Sequence, residues 1–115
     1  MDVRNPKELH EIVEKIADKH GRMDGMIAAA GINREIPALG HTMEDFEEVM
    51  SINVTGVFLC AQAAAQQMIK FGNGGSIVLI ASMSGTIANK VRIAHPQVLS
   101  CADTTSPAGF DLSGV

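Results

Sequence analysis

Two short apolar runs that carry no charge and do not alternate with polar residues constrain this fold more than any other feature. Met26-Ile27-Ala28-Ala29 follows Asp24-Gly25, and Ile77-Val78-Leu79-Ile80-Ala81 follows Gly74-Gly75-Ser76. Each run is bounded by glycine and too brief for a helix. A strand without alternation is one with both faces covered. The reading is a strand at about 25 to 29 and a second over 75–82, both central in their sheet.

A helical pattern precedes each run. Asn5 caps the first helix, Pro6 takes the first helical position where no donor is needed, and Glu8 completes a capping box. Leu9, Ile12, Val13, Ile16 and Ala17 then form one apolar stripe, and Gly21 supplies a left-handed stop. Ile32 to His41, with Pro37 and Gly40, reads as a loop. Thr42 caps the second helix, with Glu44 and Asp45 placed against the positive end of its dipole. Its stripe is Phe46, Val49, Met50, Val54, Val57, Phe58, Ala61, Ala64, Ala65 and Met68, ending at Phe71-Gly72-Asn73-Gly74. A single helix of about 30 residues would be about 45 Å long. Helix, strand, helix, strand in that order implies an α/β fold whose parallel strands are joined by a right-handed crossover.

The 115 residues allow one folded unit, and 46% hydrophobic with 19% charged residues is a globular composition. A net charge of -4 with scattered basic residues excludes a nucleic-acid partner. Cys60 and Cys101 stand in unlike contexts and imply no disulfide framework. His10, His20, His41 and His95 never reach ligand spacing, so no metal site is expected. Met1 to Lys7 is polar and mixed in charge, unlike a secretory leader, and a cytoplasmic location follows as the expectation. Val49 to Ile69 is uncharged and long enough to span a bilayer. Ser51, Asn53, Thr55, Gln62, Gln66 and Gln67 within it favour a buried helix without a membrane. From Lys90 onward the pattern dissolves, and Val91 to Val115 reads as an unstructured tail.

Two polar residues fall where chemistry would be built. Asn53 lies on the apolar stripe, seven residues after Phe46 and seven before Cys60. A buried amide without partners costs about 1 to 3 kcal/mol, so a backbone group or a held water must satisfy it. The bland alternative is an Asn that fixes packing or bends the helix near Gly56. Ser82 follows the second strand at the carboxyl edge, where open parallel sheets place their ligands. Ala29, Ala30 and Gly31 end the first strand at the same edge, and their small side chains permit close approach.

These residues reach a family resemblance. Asp24-Gly25-Met26-Ile27-Ala28-Ala29-Ala30-Gly31, then Ser51-Ile52-Asn53-Val54-Thr55-Gly56-Val57-Phe58, then Gly75-Ser76-Ile77-Val78-Leu79-Ile80-Ala81-Ser82-Met83-Ser84-Gly85, in this order and separation, resemble the middle of a short-chain dehydrogenase/reductase. The likeness covers roughly residues 2 to 89 and is closest in flavour to fungal sorbose or polyol reductases. It implies a partial Rossmann-like, doubly wound parallel sheet over 1–89 and an unstructured or aberrant tail over 90–115, as a retained intron or shifted frame would give. It further implies an NAD(P)(H) cofactor and a small hydroxyl or carbonyl substrate. Asp2-Val3 is similar to the family pair whose acid sits beside the adenine. Ala29, Ala30 and Gly31 stand in the segment that backs the cofactor, where the family carries Asn-Asn-Ala-Gly and this chain has Ala28-Ala29-Ala30-Gly31. Asn53 matches the asparagine that holds a relay water, and Ser82 the serine that hydrogen-bonds the substrate oxygen.

The departures matter equally. The family's glycine-rich turn, which holds the cofactor pyrophosphate at a helix N-terminus, has no counterpart before Asp2. Its acid catalyst is a tyrosine beyond the serine, assisted by a lysine one helical turn later, and this chain contains no tyrosine. Thr86 and Lys90 repeat that internal spacing, but too near Ser82, and an aliphatic hydroxyl is too weak an acid to replace a lysine-assisted phenol. The expectation is an oxidoreductase slice that is inactive as it stands. The alternatives are a non-catalytic partner of a full-length homologue, joined through a helix surface of Gln62, Ala63, Gln66 and Gln67, or a truncated product without function.

Overall fold

The computed structural model describes residues 1–82. Thr86, Lys90, His95, Cys101 and the tail assigned to 90–115 lie outside the described residues. Helix α1 runs Pro6–His20 and begins as its sequence dictates. The Asn5 side chain accepts from the Glu8 backbone N–H at 3.3 Å. The other half of the capping box differs: the Asn5 N–H is already donated to the Asp2 carbonyl at 3.0 Å, so Glu8 meets the Asn5 side-chain amide instead. Gly21, with φ of 67°, closes the helix by donating to Ala17 and Asp18. Leu9, Val13 and Ala17 are buried, whereas Ile16 is exposed, so the apolar stripe is narrower than its spacing implies.

Strand β1, Gly25–Ala28, pairs in parallel with β2, Ser76–Leu79, in the register Gly25 to Ser76 through Ala28 to Leu79. The ladder continues one step, from the Ile80 N–H to the Ala28 carbonyl at 3.2 Å. At the other end the Ser76 N–H donates to Asp24, and the Asn73 side-chain amide donates to the Met23 carbonyl at 2.9 Å. Both strands are shorter than expected, and the expectation that both faces are covered is corrected. Ala28, Met26 and Ile77 face the core, while Ile27 is 67% exposed and Val78 and Ile80 are exposed as well. The helix over Val57–Phe71, α3, packs across both strands and α1 packs against it, so the described elements cover one face.

The connection from β1 holds a short 3-10 turn, Ala38–Gly40, within the expected loop. The long helix follows as one 29-residue run, Met43–Phe71, but it is not uniform. It divides into α2, Met43–Met50, a π-helical turn, Ser51–Gly56, and α3, Val57–Phe71. Thr42 caps α2, accepting from the Asp45 N–H at 3.1 Å, and Gly72 closes α3 in the left-handed conformation. Length and composition alone would let this run cross a membrane, yet Cys60, Ala63, Ala64 and Met68 pack into the core with α1 and β1.

The helix turns a different side inward from the one its sequence suggested. Phe58, placed on the core stripe, is 61% exposed, whereas Ala63, placed on the outer surface, is 1% exposed, and Gln67 is buried too. The stripe drawn from the sequence merged two apolar faces. A helix apolar on more than one side does not reveal which side meets a neighbour. Lys70 fastens α3 to α1 through Glu14 at 3.1 Å and Asp18 at 2.9 Å.

Candidate functional site

The carboxyl ends of β1 and β2 lie side by side, because a parallel register fixes both ends together. Ala29, Ala30 and Gly31 leave β1 there, all exposed, and Ser82, half-buried, leaves β2 at the same edge. The two strand-end signals in the sequence therefore share one border of the sheet.

Asn53 reaches this border from the π turn. Its side-chain oxygen accepts from the Ile32 N–H at 2.9 Å, and its side-chain nitrogen donates to the Ile32 carbonyl at 2.9 Å. The amide thus mimics a peptide group and pairs with one residue of the loop that leaves β1. This resolves the buried-amide question in favour of a backbone partner. One amide hydrogen and one oxygen lone pair remain for a further contact. A Cβ added at Gly31 would lie 3.5 Å from the Asn53 oxygen, an ordinary contact, so the loop runs directly along the amide.

Two contacts flank the wide turn, one local and one distant in sequence. Ser51 Oγ donates to the Glu48 carbonyl at 2.7 Å, a back-bond that competes with the helical ladder. Gly56 is buried, and a Cβ built on it would fall 2.6 Å from Val3 Cγ2 and 3.0 Å from Val3 Cβ. No side chain fits there while Val3 keeps its place. π turns of this kind interrupt α-helices preferentially at functional sites.

Val3 itself is buried in the core cluster, so of the Asp2-Val3 pair only Asp2 presents its side chain to the outside. Arg4 engages both Asp2 carboxylate oxygens, through its guanidinium at 2.7 to 3.0 Å and its backbone N–H at 2.9 Å. These hydrogen bonds pull the Asp2 carboxyl down to about 2. Arg34, on the loop after Ile32, forms an ion pair with Glu48 of α2 and fastens the loop to the helix on its other side. Glu48 also lies close enough to raise the Arg4 pKa, after the larger contribution of Asp2.

Sequence reasoning singled out Asn53, Ser82, Asp2, Val3 and the Ala29 to Gly31 segment. The structure joins Asn53 to Gly31 and Ile32, sets Ser82 at the same edge, and places Val3 against the turn that carries Asn53. Ile32 and Arg4 carry no signal of a role in the sequence, and Gly56 enters there only as the place where the helix would bend. Gly56, a glycine interrupting an otherwise apolar helix one turn after Asn53, was a readable signal; the role of Ile32 was not. Among the described residues no group of His, Cys, Asp and Glu could hold a metal ion. Asp2 keeps its carboxylate exposed, and the small residues Ala29, Ala30 and Gly31 leave the strand end open. The described strand-to-helix connection carries no glycine-rich phosphate cradle.

Open parallel α/β sheets place their ligands at the carboxyl edge, where these polar residues converge. The short chain dehydrogenase family profile matches residues 1–95, and the chain belongs to that family. It is similar to a short-chain type dehydrogenase/reductase from Mycobacterium marinum, 36% identical with a TM-score of 0.81 over 88% of this chain and 41% of that one. A short chain dehydrogenase from Mycobacterium paratuberculosis bound to NAD is 35% identical, with a TM-score of 0.79 over 87% of this chain and 36% of that one. The D-threitol dehydrogenase of Mycolicibacterium smegmatis is 32% identical over 94 residues, which are 82% of this chain and 36% of the relative. The chain spans between 30% and 36% of the length of the curated relatives it matches. These likenesses make the fold a partial Rossmann-like one and the family an oxidoreductase family with nicotinamide-bound members.

Proposed function

We propose that this chain is the central segment of an NAD(P)(H)-dependent oxidoreductase of small hydroxyl or carbonyl compounds of the polyol and ketose type, and that alone it is inactive. The observation that carries the reading is the two-point grip of Asn53 on Ile32 at the carboxyl edge of the sheet, beside Gly31. Such a grip holds loop, helix turn and strand end in one geometry, as a site that must hold ligand and substrate together requires. In this reading Asp2 accepts from the adenine amino group, and Ala29, Ala30 and Gly31 allow the cofactor to lie against the strand end. Ser82 hydrogen-bonds the substrate oxygen, and the free valences of Asn53 order a water that relays the proton. The nicotinamide, when bound, supplies or takes up the hydride. The chain has no tyrosine to give the oxygen its proton. A cytoplasmic location belongs to the same reading, and the D-threitol dehydrogenase relative supports the polyol class.

The test has two arms. The purified chain with NADH or NADPH and small ketoses is expected to show no turnover, and measurable turnover or tight NADPH binding would overturn the inactive assignment. For the residue roles, this segment replaces its counterpart in the D-threitol dehydrogenase. The chimera is expected to oxidise the polyol and to lose that activity on Ser82→Ala. An active chimera indifferent to both Ser82→Ala and Asn53→Ala would refute them.

A second reading is favoured by one observation. The outer side of α3 exposes Phe58 and Ile69 along with Gln62 and Gln66. That face suits a non-catalytic partnership with a full-length homologue. Co-expression and pull-down with such a homologue tests it, and failure to co-purify, or co-purification unaffected by Phe58→Asp, would dismiss it.

A further inference from the structure

Three motif residues that the sequence presents separately meet in one contact. Val3 is buried, follows the Asp2 carboxylate directly, and sits where a Cβ on Gly56 would have to be. Gly56 closes the π turn that carries Asn53, and Asn53 holds the Ile32 N–H and carbonyl. The turn that carries Val3 is closed on itself and runs directly into the cap of α1. The Asn5 N–H donates to the Asp2 carbonyl at 3.0 Å, and Arg4 clamps the Asp2 carboxylate. A β-branched side chain is stiff about its first torsion, so it transmits a displacement instead of absorbing it by changing rotamer. The space at Gly56 is bounded by a short branched group on a hydrogen-bonded turn, and close-packed contacts of this sort pass strain along.

We propose that Val3 and Gly56 form a steric joint that couples the Asp2 turn to the Asn53–Ile32 edge of the sheet, which makes both of them positioning residues. A shift of the Asp2 turn displaces Val3, Val3 presses on the wide turn at Gly56, and the turn moves the amide that grips Ile32. A ligand engaged at Asp2 therefore sets the geometry at the far border, and a ligand engaged at the border resists movement of Asp2. What the joint does for a bound nicotinamide cofactor rests on the function proposed above. The joint itself is tested without any cofactor, so the two can fail separately.

Amide hydrogen exchange of the whole chain, followed by NMR, reads the joint at the Ile32 N–H, whose acceptor is Asn53. Gly56→Ala should speed Ile32 exchange by about tenfold or more while Val13 and Ala17, in the middle of α1, exchange as in the parent chain. Removing the opposing atoms in the double variant Gly56→Ala, Val3→Gly should bring the Ile32 rate back to less than about tenfold above the parent. Val3→Leu, which presses on the same contact from the other side, should repeat the Gly56→Ala effect. A smaller rise in Gly56→Ala, an equal rise at Val13 and Ala17, or no recovery in the double variant overturns the joint. Should Gly56→Ala fail to fold, folding of the double variant supports the proposal and its failure overturns it.

Discussion

Asn53→Ala deletes two hydrogen bonds at once, the acceptor for the Ile32 N–H and the donor to its carbonyl, each 2.9 Å long and partly buried. A neutral hydrogen bond contributes about 0.5 to 1.5 kcal/mol net, so the pair is worth about 1 to 3 kcal/mol. Alanine regains part of this, because it exceeds asparagine in helix propensity by up to about 0.7 kcal/mol. Water also reaches the half-buried Ile32 once the amide is gone. The expected net loss is about 0.5 to 2 kcal/mol, read as a lower urea midpoint at unchanged slope. Asn53→Asp sharpens the test. Its carboxylate can still accept from the Ile32 N–H, but its second oxygen then faces the Ile32 carbonyl, and only protonation restores the donor. Its folded pKa is therefore raised above the unfolded value. The variant should keep its stability below the unfolded pKa and lose it as pH rises through the folded one. A change below about 0.5 kcal/mol in Asn53→Ala, the range of ordinary surface substitutions, would refute the grip as a structural element. Identical pH profiles for Asn53→Asp and the parent would do the same.

Gln67 is 8% exposed and its Oε1 is buried without a hydrogen-bond partner. Gln67→Met, which keeps the length and removes the unpaired oxygen, should stabilise the chain by about 1 kcal/mol in urea unfolding, and a loss of stability would contradict it. The Asp2 carboxyl, held at about 2 by the Arg4 hydrogen bonds, should show that midpoint by NMR and move up toward the ordinary carboxylate range in Arg4→Gln. Because the folded pKa is the lower one, the pair stabilises the chain above the unfolded value of 3.8 and ceases to do so as pH falls toward 2. An Asp2 midpoint indifferent to Arg4→Gln would show that the clamp is absent in solution.

The sequence by itself determined where α1 and the long helical run Met43–Phe71 begin and end, the existence and direction of the two strands, and the family, but not the division of that run at Ser51–Gly56. Asn5, Pro6 and Glu8, or Thr42 and Asp45, act on backbone groups three or four residues away. Gly21 and Gly72 act within a single turn. Local hydrogen bonds of this kind are visible in spacing alone. Asn53 and Ser82 were legible as exceptions, polar residues where apolar ones or turns are usual. The tertiary structure decided the rest. Asn53 meets Ile32 from 21 residues away, and Val3 and Gly56 meet across most of the described chain, distances that no periodicity encodes. The inward side of α3 was likewise decided by packing. Phe58 is apolar yet outside, and Gln67 is polar yet inside, because α1 and the sheet offer cover on one side of a helix that is apolar on two. Local chemistry chose the elements; the sites where they touch followed from how the chain returns on itself, and there a one-residue widening at Ser51–Gly56 is enough to aim an amide at its partner.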